Sequence, residues 1–123
     1  MQLGIDALAQ RVKAALESAE PSRFADLLDP TVQWGAPDDP APSCQNRDQV
    51  LSWYERGRAE GTRVNVVSVE AHGDKILLEL RVLNLSDPAN EHARWQVMTC
   101  RSGRVVDIRG FESCDEALAA VVV

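Results

Sequence analysis

The chain has 123 residues, 45% of them hydrophobic and 26% charged, and a formal net charge of -6. One domain fits that length, since domains peak near ~100–150 residues, and the composition excludes wholesale disorder. The acidic balance argues against a nucleic-acid partner, which needs a basic footprint, and no apolar run approaches the roughly 20 residues of a membrane span.

Along the chain, Ile5, Leu8, Ala9, Val12, Ala15, Leu16 and Ala19 recur at three- and four-residue steps, with Gln10, Arg11, Lys13 and Glu17 elsewhere. That spacing predicts an amphipathic helix. It is expected to stop at Glu20-Pro21, because the residue before proline is pushed out of helical geometry. Pro21 then suits the first turn of a short second helix, with Phe24, Leu27 and Leu28 as its apolar face and Asp29-Pro30 as its end. Thr31 to Gly35 reads as a strand, with Val32 and Trp34 on a two-residue period. Three prolines and two aspartates mark 36–45 as a loop. Asn46 is a strong N-cap for a third helix, Gln49 is placed to reach back, and Val50, Trp53, Tyr54 and Gly57 supply the inward stripe before Gly61 stops it.

After Gly61 the period changes to that of strands. Arg63 to Ala71 and Lys75 to Leu85 form a hairpin across Gly73-Asp74, and Ser86 to Asn90 reads as a loop. Ala93 to Arg101 and Arg104 to Glu112 form a second hairpin across Ser102-Gly103. Ser113 and Glu116 have capping-box spacing, opening a last helix with Ala117, Leu118 and Val121 on its apolar side. Helices grouped before a meander predict an α+β fold with the helices on one face of a mostly antiparallel sheet. Ile76-Leu77-Leu78 and Val105-Val106 are apolar on both parities, so the second face also needs cover, and a second copy of the chain is the expected cover. A homodimer is the predicted assembly.

The first residues, Met1 to Asp6, have neither a basic head nor a signal-type apolar stretch, and Val121-Val122-Val123 is too brief to anchor anything. Cys44, Cys100 and Cys114 are odd in number and unpaired in spacing, which predicts a reducing, cytoplasmic setting. Neither they nor His72 and His92 reach metal-ligand spacing, so no metal is expected.

Phe24-Ala25-Asp26-Leu27-Leu28, Val32-Gln33-Trp34, the opening at Asn46-Arg47-Asp48-Gln49-Val50, and the run Trp95-Gln96-Val97, Ser102-Gly103-Arg104-Val105-Val106, Arg109-Gly110-Phe111-Glu112 into Glu116-Ala117-Leu118 follow one another in a particular order. That order resembles the nuclear transport factor 2-like (NTF2-like) superfamily, and within it the SnoaL-like group of small domains. The resemblance implies a cone-shaped, cystatin-like fold: a strongly bent sheet wrapping helices, a pocket between them, and a convex sheet face that commonly pairs two subunits. Such domains include ketosteroid isomerases, epoxide hydrolases, dehydratases and polyketide cyclases, and many others that only bind or scaffold. In the enzymes, acidic residues on cavity-facing strands move protons, and a frequent position is an aspartate just after the final strand. Ser113 stands there in this chain. Serine keeps the helix cap and loses the proton acceptor.

Asp107, Arg109 and Phe111 share one parity of the last strand. Facing the pocket, Asp107 and Arg109 would form an acid/base pair with the guanidinium as electrostatic partner. Facing outward, they would be interface charges, and Val106 and Ile108 on the other parity favour that orientation unless a bulge reverses it. Glu112, on the opposite parity, is expected at the cavity rim. Trp34, Trp53, Tyr54 and Trp95 are the candidate pocket lining, with ordinary core packing as the alternative, and Cys100 reads as a small buried hydrophobe. Two functions follow: a domain that binds a small organic molecule or serves as a dimerising module, or a cofactor-free enzyme of isomerase, hydrolase, dehydratase or cyclase type using Asp107 or Glu112.

Overall fold

The computed structural model describes residues 4–18 and 22–121. The expectations at Ala19, Glu20 and Pro21, and those at residues 1–3 and 122–123, lie outside the described residues. The elements are α1 (Ile5–Glu17), α2 (Ser22–Ala25), β1 (Leu28–Gly35), α3 (Arg47–Ala59), β2 (Thr62–His72), β3 (Lys75–Asn84), β4 (Asp87–Arg101), β5 (Arg104–Phe111) and α4 (Cys114–Val121). Their order is the predicted one, and the fold is α+β. The five strands form a curved sheet in the order β1-β5-β4-β3-β2, antiparallel except where β1 runs parallel to β5.

Two strands start earlier than their composition suggested. Leu28 opens β1 opposite Val105, so the Asp29-Pro30 bend lies within the strand rather than at a helix end. The Asp29 carboxylate accepts bonds from the Thr31 amide at 2.9 Å and the Thr31 hydroxyl at 2.8 Å, which holds the bend and keeps that carboxyl below its usual range. β1 is an edge strand, where the N–H that Pro30 lacks need not enter a ladder. β4 begins at Asp87 rather than Ala93, because the turn shrinks to Leu85-Ser86 and Asn84 pairs with Asp87. The Asn84 side chain stabilises that turn by accepting from the Ser86 amide and hydroxyl, at 2.9 and 2.6 Å.

The helix punctuation works as read, with one shift. Asn46 accepts from the Gln49 amide at 2.9 Å, while the Gln49 side chain reaches past the cap to accept from the Gln45 amide at 2.7 Å. Gly61, just beyond α3, has φ of 97°, a left-handed conformation that glycine adopts without strain. At α4, the Ser113 hydroxyl accepts from the Glu116 amide at 3.5 Å.

The inner core lies between the sheet and α1, α2 and α3. Leu8, Val12, Leu28, Val32, Val50, Ile76, Leu78, Met98, Val105 and Ile108 are closed to solvent there. A smaller cluster lies on the other face, where Leu77, Val97 and Phe111 pack against Ala117 and Val121 of α4. The helices therefore do not share one face. The second apolar parity that called for a cover receives part of it from the chain's own last helix. A bulge in β5 sets the faces: Cys100 pairs with Val105 and Thr99 with Asp107, leaving Val106 as the extra residue. Val105 and Ile108, rather than Val106 and Ile108, are the inward pair, both fully buried. Among the described residues no helix is long and apolar enough to cross a membrane.

Candidate functional site

The inner core does not fill the space the sheet encloses. A cavity of about 590 Å³ remains between the open end of the sheet, α1 and α3. Its walls are mostly apolar, with Leu16, Phe24, Leu51, Val64, Leu80 and Val82 among them. The strand register shows how it is graded. On β4, alternate residues face inward, so Gln96 stands beside Leu78 and Gly110, Arg94 beside Leu80, and His92 beside Val82. Gln96 is buried, Arg94 half-buried and His92 exposed. Successive inward positions are roughly 7 Å apart along a strand, so this row descends from the mouth to the inner end.

Aromatic rings cluster at the inner end. Trp34 stacks on Tyr54 with centroids 4.8 Å apart, while Phe24 meets Tyr54 edge-on at 5.2 Å and Trp53 meets Trp34 edge-on at 6.0 Å. Trp34 is held by a pairing of its backbone with Cys44 across the 36–43 loop. Gly35 permits that closure, since a Cβ there would fall 2.6 Å from the Pro42 Cβ. Trp34, Trp53, Tyr54 and Trp95 all border the cavity; Trp53 is half exposed, and Trp95 also packs against the outer cluster.

The Tyr54 hydroxyl and the Gln96 Oε1 are both buried at this end, and neither has a hydrogen-bond partner. Burial pushes the Tyr54 phenol well above its ordinary value, and the nearby Gln96 amide offsets only part of that rise, without itself reaching hydrogen-bond geometry. The phenol therefore stays neutral and able to donate. In the sequence Gln96 stands out only as part of the Trp95-Gln96-Val97 motif. Its signal was parity: one amide in the inward series Gln96, Met98, Cys100. Gly110 is the other missed position, a strand glycine whose absent side chain leaves room in which a Cβ would meet only the Arg94 guanidinium, at 3.5 Å.

Asp107 and Arg109 are brought together, but across the sheet from this cavity. Arg109 donates through Nε to both Asp107 carboxylate oxygens, at 3.2 and 3.0 Å, and through Nη2 to one of them at 3.1 Å. Its Nη1 donates to the Ala36 and Asp39 carbonyls at 2.8 and 2.9 Å, pinning the proline-rich loop to β5. The pair borders a separate outer recess of about 280 Å³ beside Lys75 and Phe111. Glu112 lies just past β5, largely exposed, 3.7 Å from Arg94 Nη1. It borders a recess of about 490 Å³ that shares Trp34, Trp53, Arg94 and Gly110 with the main cavity. Cys44 and Cys100 are buried, and burial raises both thiols, that of Cys100 to about 11, so neither is a ready nucleophile at neutral pH. No cluster of three or more potential metal-ligating side chains occurs among the described residues.

Residues 9–110 match the family described as the SnoaL-like domain. Solved structures share the fold. A cystatin-fold protein from Novosphingobium aromaticivorans superposes with a TM-score of 0.76 at 9% identity, covering 89% of this chain and 98% of that one. An NTF2-like protein of unknown function from Cytophaga hutchinsonii gives 0.71 at 10% identity, with 96% and 97% covered. A protein with a ketosteroid isomerase-like fold from Catenulispora acidiphila, solved in complex with trimethylamine, gives 0.66 at 17% identity, with 94% and 92% covered. At these identities the likeness is one of fold. No curated protein matches the chain.

Proposed function

Because the chain belongs to the SnoaL-like domain family, whose fold leaves a cavity between helices and sheet, we propose that it binds a small organic molecule in that cavity. The observation that carries this reading is the pair of unpartnered polar groups, Tyr54 Oη and Gln96 Oε1, at the inner end of an apolar chamber. A buried polar group without a partner costs about 1–3 kcal/mol, and a ligand carbonyl or hydroxyl recovers it once a side-chain rotation brings the group to the chamber surface. The chamber's volume falls within the ~300–1,000 Å³ of small-molecule sites. Asp107 stands on the other face and Glu112 at the rim, so neither expected proton carrier faces the inner end, which favours binding over catalysis. Three free thiols suit a cytosolic setting for this role.

Tryptophan fluorescence tests the proposal, since Trp34, Trp53 and Trp95 border the chamber. Titration with decalone, a bicyclic ketone, is expected to change the emission saturably. Tyr54→Phe is expected to weaken that binding several-fold, the loss of one hydrogen bond worth about 1 kcal/mol. Absence of a saturable change with decalone and with a hydroxylated counterpart would sink the proposal.

A further inference from the structure

We infer that the ligand is a hydrophobic carboxylic acid, bound as its anion, with the carboxylate at Arg94 and the apolar body against Leu80 and Val82. This rests on the reading of the cavity as a ligand site, and it names the chemical class.

The charge distribution is the starting point. The chain as a whole carries -6, yet among the described residues the Arg and carboxylate side chains lining the cavity are Arg58, Arg63 and Arg94 against Glu17. The local balance is thus opposite in sign to the global one. Glu17 is itself turned toward the backbone, its Oε2 accepting from the Val66 amide at 3.4 Å. Arg63 spends one nitrogen on the Arg58 and Thr62 carbonyls, at 3.0 and 2.8 Å, which satisfies donors without neutralising charge.

Arg94 differs from both. It is half-buried on the inward parity of β4, one inward position above Gln96 and beside Leu80. Its nearest carboxylate, Glu112, stands 3.7 Å away and is largely exposed, a loose pair in water. The contrast with Arg109 shows what a committed guanidinium looks like in this fold, since that residue makes three contacts to Asp107 and two to loop carbonyls. Arg94 borders both the chamber and the adjoining recess of Glu112, and its Nη2 lies over Gly110, where the missing side chain leaves the guanidinium fork uncrowded. A planar carboxylate matches that fork in two parallel, charge-assisted bonds. The aliphatic wall beside it requires the remainder of the molecule to be apolar.

The test is a matched series that shares one body: cyclohexylbutanoate, its methyl ester, and cyclohexylbutylamine, each titrated by tryptophan fluorescence and calorimetry. The acid is expected to bind at least about tenfold more tightly than the ester, with the amine weakest. Arg94→Gln is expected to bring the acid to the level of the ester while leaving the ester unchanged, and retained ester binding shows that the variant is folded. Equal affinity of acid and ester in the parent chain, tighter binding of the amine, or an acid affinity indifferent to Arg94→Gln would each overturn the assignment while the cavity reading stands. If no member of the series binds while decalone still does, the carboxylate assignment falls and the cavity reading stands; if decalone fails as well, the cavity reading falls with it.

Discussion

Leu78→Ala is expected to lower the unfolding free energy by about 2–5 kcal/mol, read by urea denaturation with circular dichroism. Leu78 is fully buried on β3, paired with Gln96 of β4 on one side and Val69 of β2 on the other. Truncation there removes three carbons from the inner core, and the flanking strands are fixed by ladders that cannot close the gap. The loss combines the transfer free energy of the missing groups with the cavity left behind. The accompanying fall in Tm is roughly 10–20 °C. A change below about 1 kcal/mol would show that the space beneath Leu78 is already loose, and the inner boundary of the ligand chamber would have to be redrawn.

The second large effect is expected at Phe111. Phe111→Ala removes the ring that joins Leu77 and Val97 to Ala117 and Val121, in a cluster of only a few residues. Phe→Ala changes in cores cost about 3–5 kcal/mol, and the edge location of this cluster points to the lower figure. The variant is also expected to release α4, an eight-residue helix too short to persist without packing. Hydrogen exchange would then show loss of protection in 114–121 while β3 and β4 remain protected. Uniform loss across all elements would mean that the outer cluster is inseparable from the inner core.

The outer cluster also marks where sequence and structure part. Apolar residues on both parities of β3 announce two covered faces, whereas Val105-Val106 of β5 do not, since Val106 is the bulge residue and lies outside the outer cluster. What the pattern could not say was which element covers the second. A second copy is the expected cover only for a chain with one helical layer, and α4 meets part of that need within the chain. Its apolar residues Ala117 and Val121 fit either face equally well on the page, because a helix's periodicity reports that it is amphipathic and not where it docks. The bulge at Val106 is a similar case. It decides that Val105 rather than Val106 joins Ile108 on the inner face, and nothing in Arg104 to Phe111 announces it locally, whereas the outward side of Asp107 and Arg109 follows from the parity of Ile108 alone.

The cavity was legible in its rings and not in its polar groups. Trp34, Trp53, Tyr54 and Trp95 stand out as rare, bulky residues at recognisable places in the fold. Gln96 and Arg94 draw their meaning from register, since only the pairing of β4 with β3 and β5 places them along one descending row. Capping motifs were read well because the groups they join are three residues apart, as at Asn46 and Ser113. For Arg109 the sequence offers either half of an acid/base pair or an outward interface charge, and the structure shows that its remaining donors hold carbonyls about seventy residues away, a long-range contact invisible to local spacing.

The central claim, that the inner chamber is the ligand site, is tested most directly by amide chemical shifts in 15N-labelled protein titrated with decalone. The expected result is a saturable set of changes at Tyr54, Leu80, Gln96 and Gly110, with Lys75, Thr99 and Ala117 on the far side of the sheet unmoved. Changes confined to that far side, or none at saturating ketone, would contradict it.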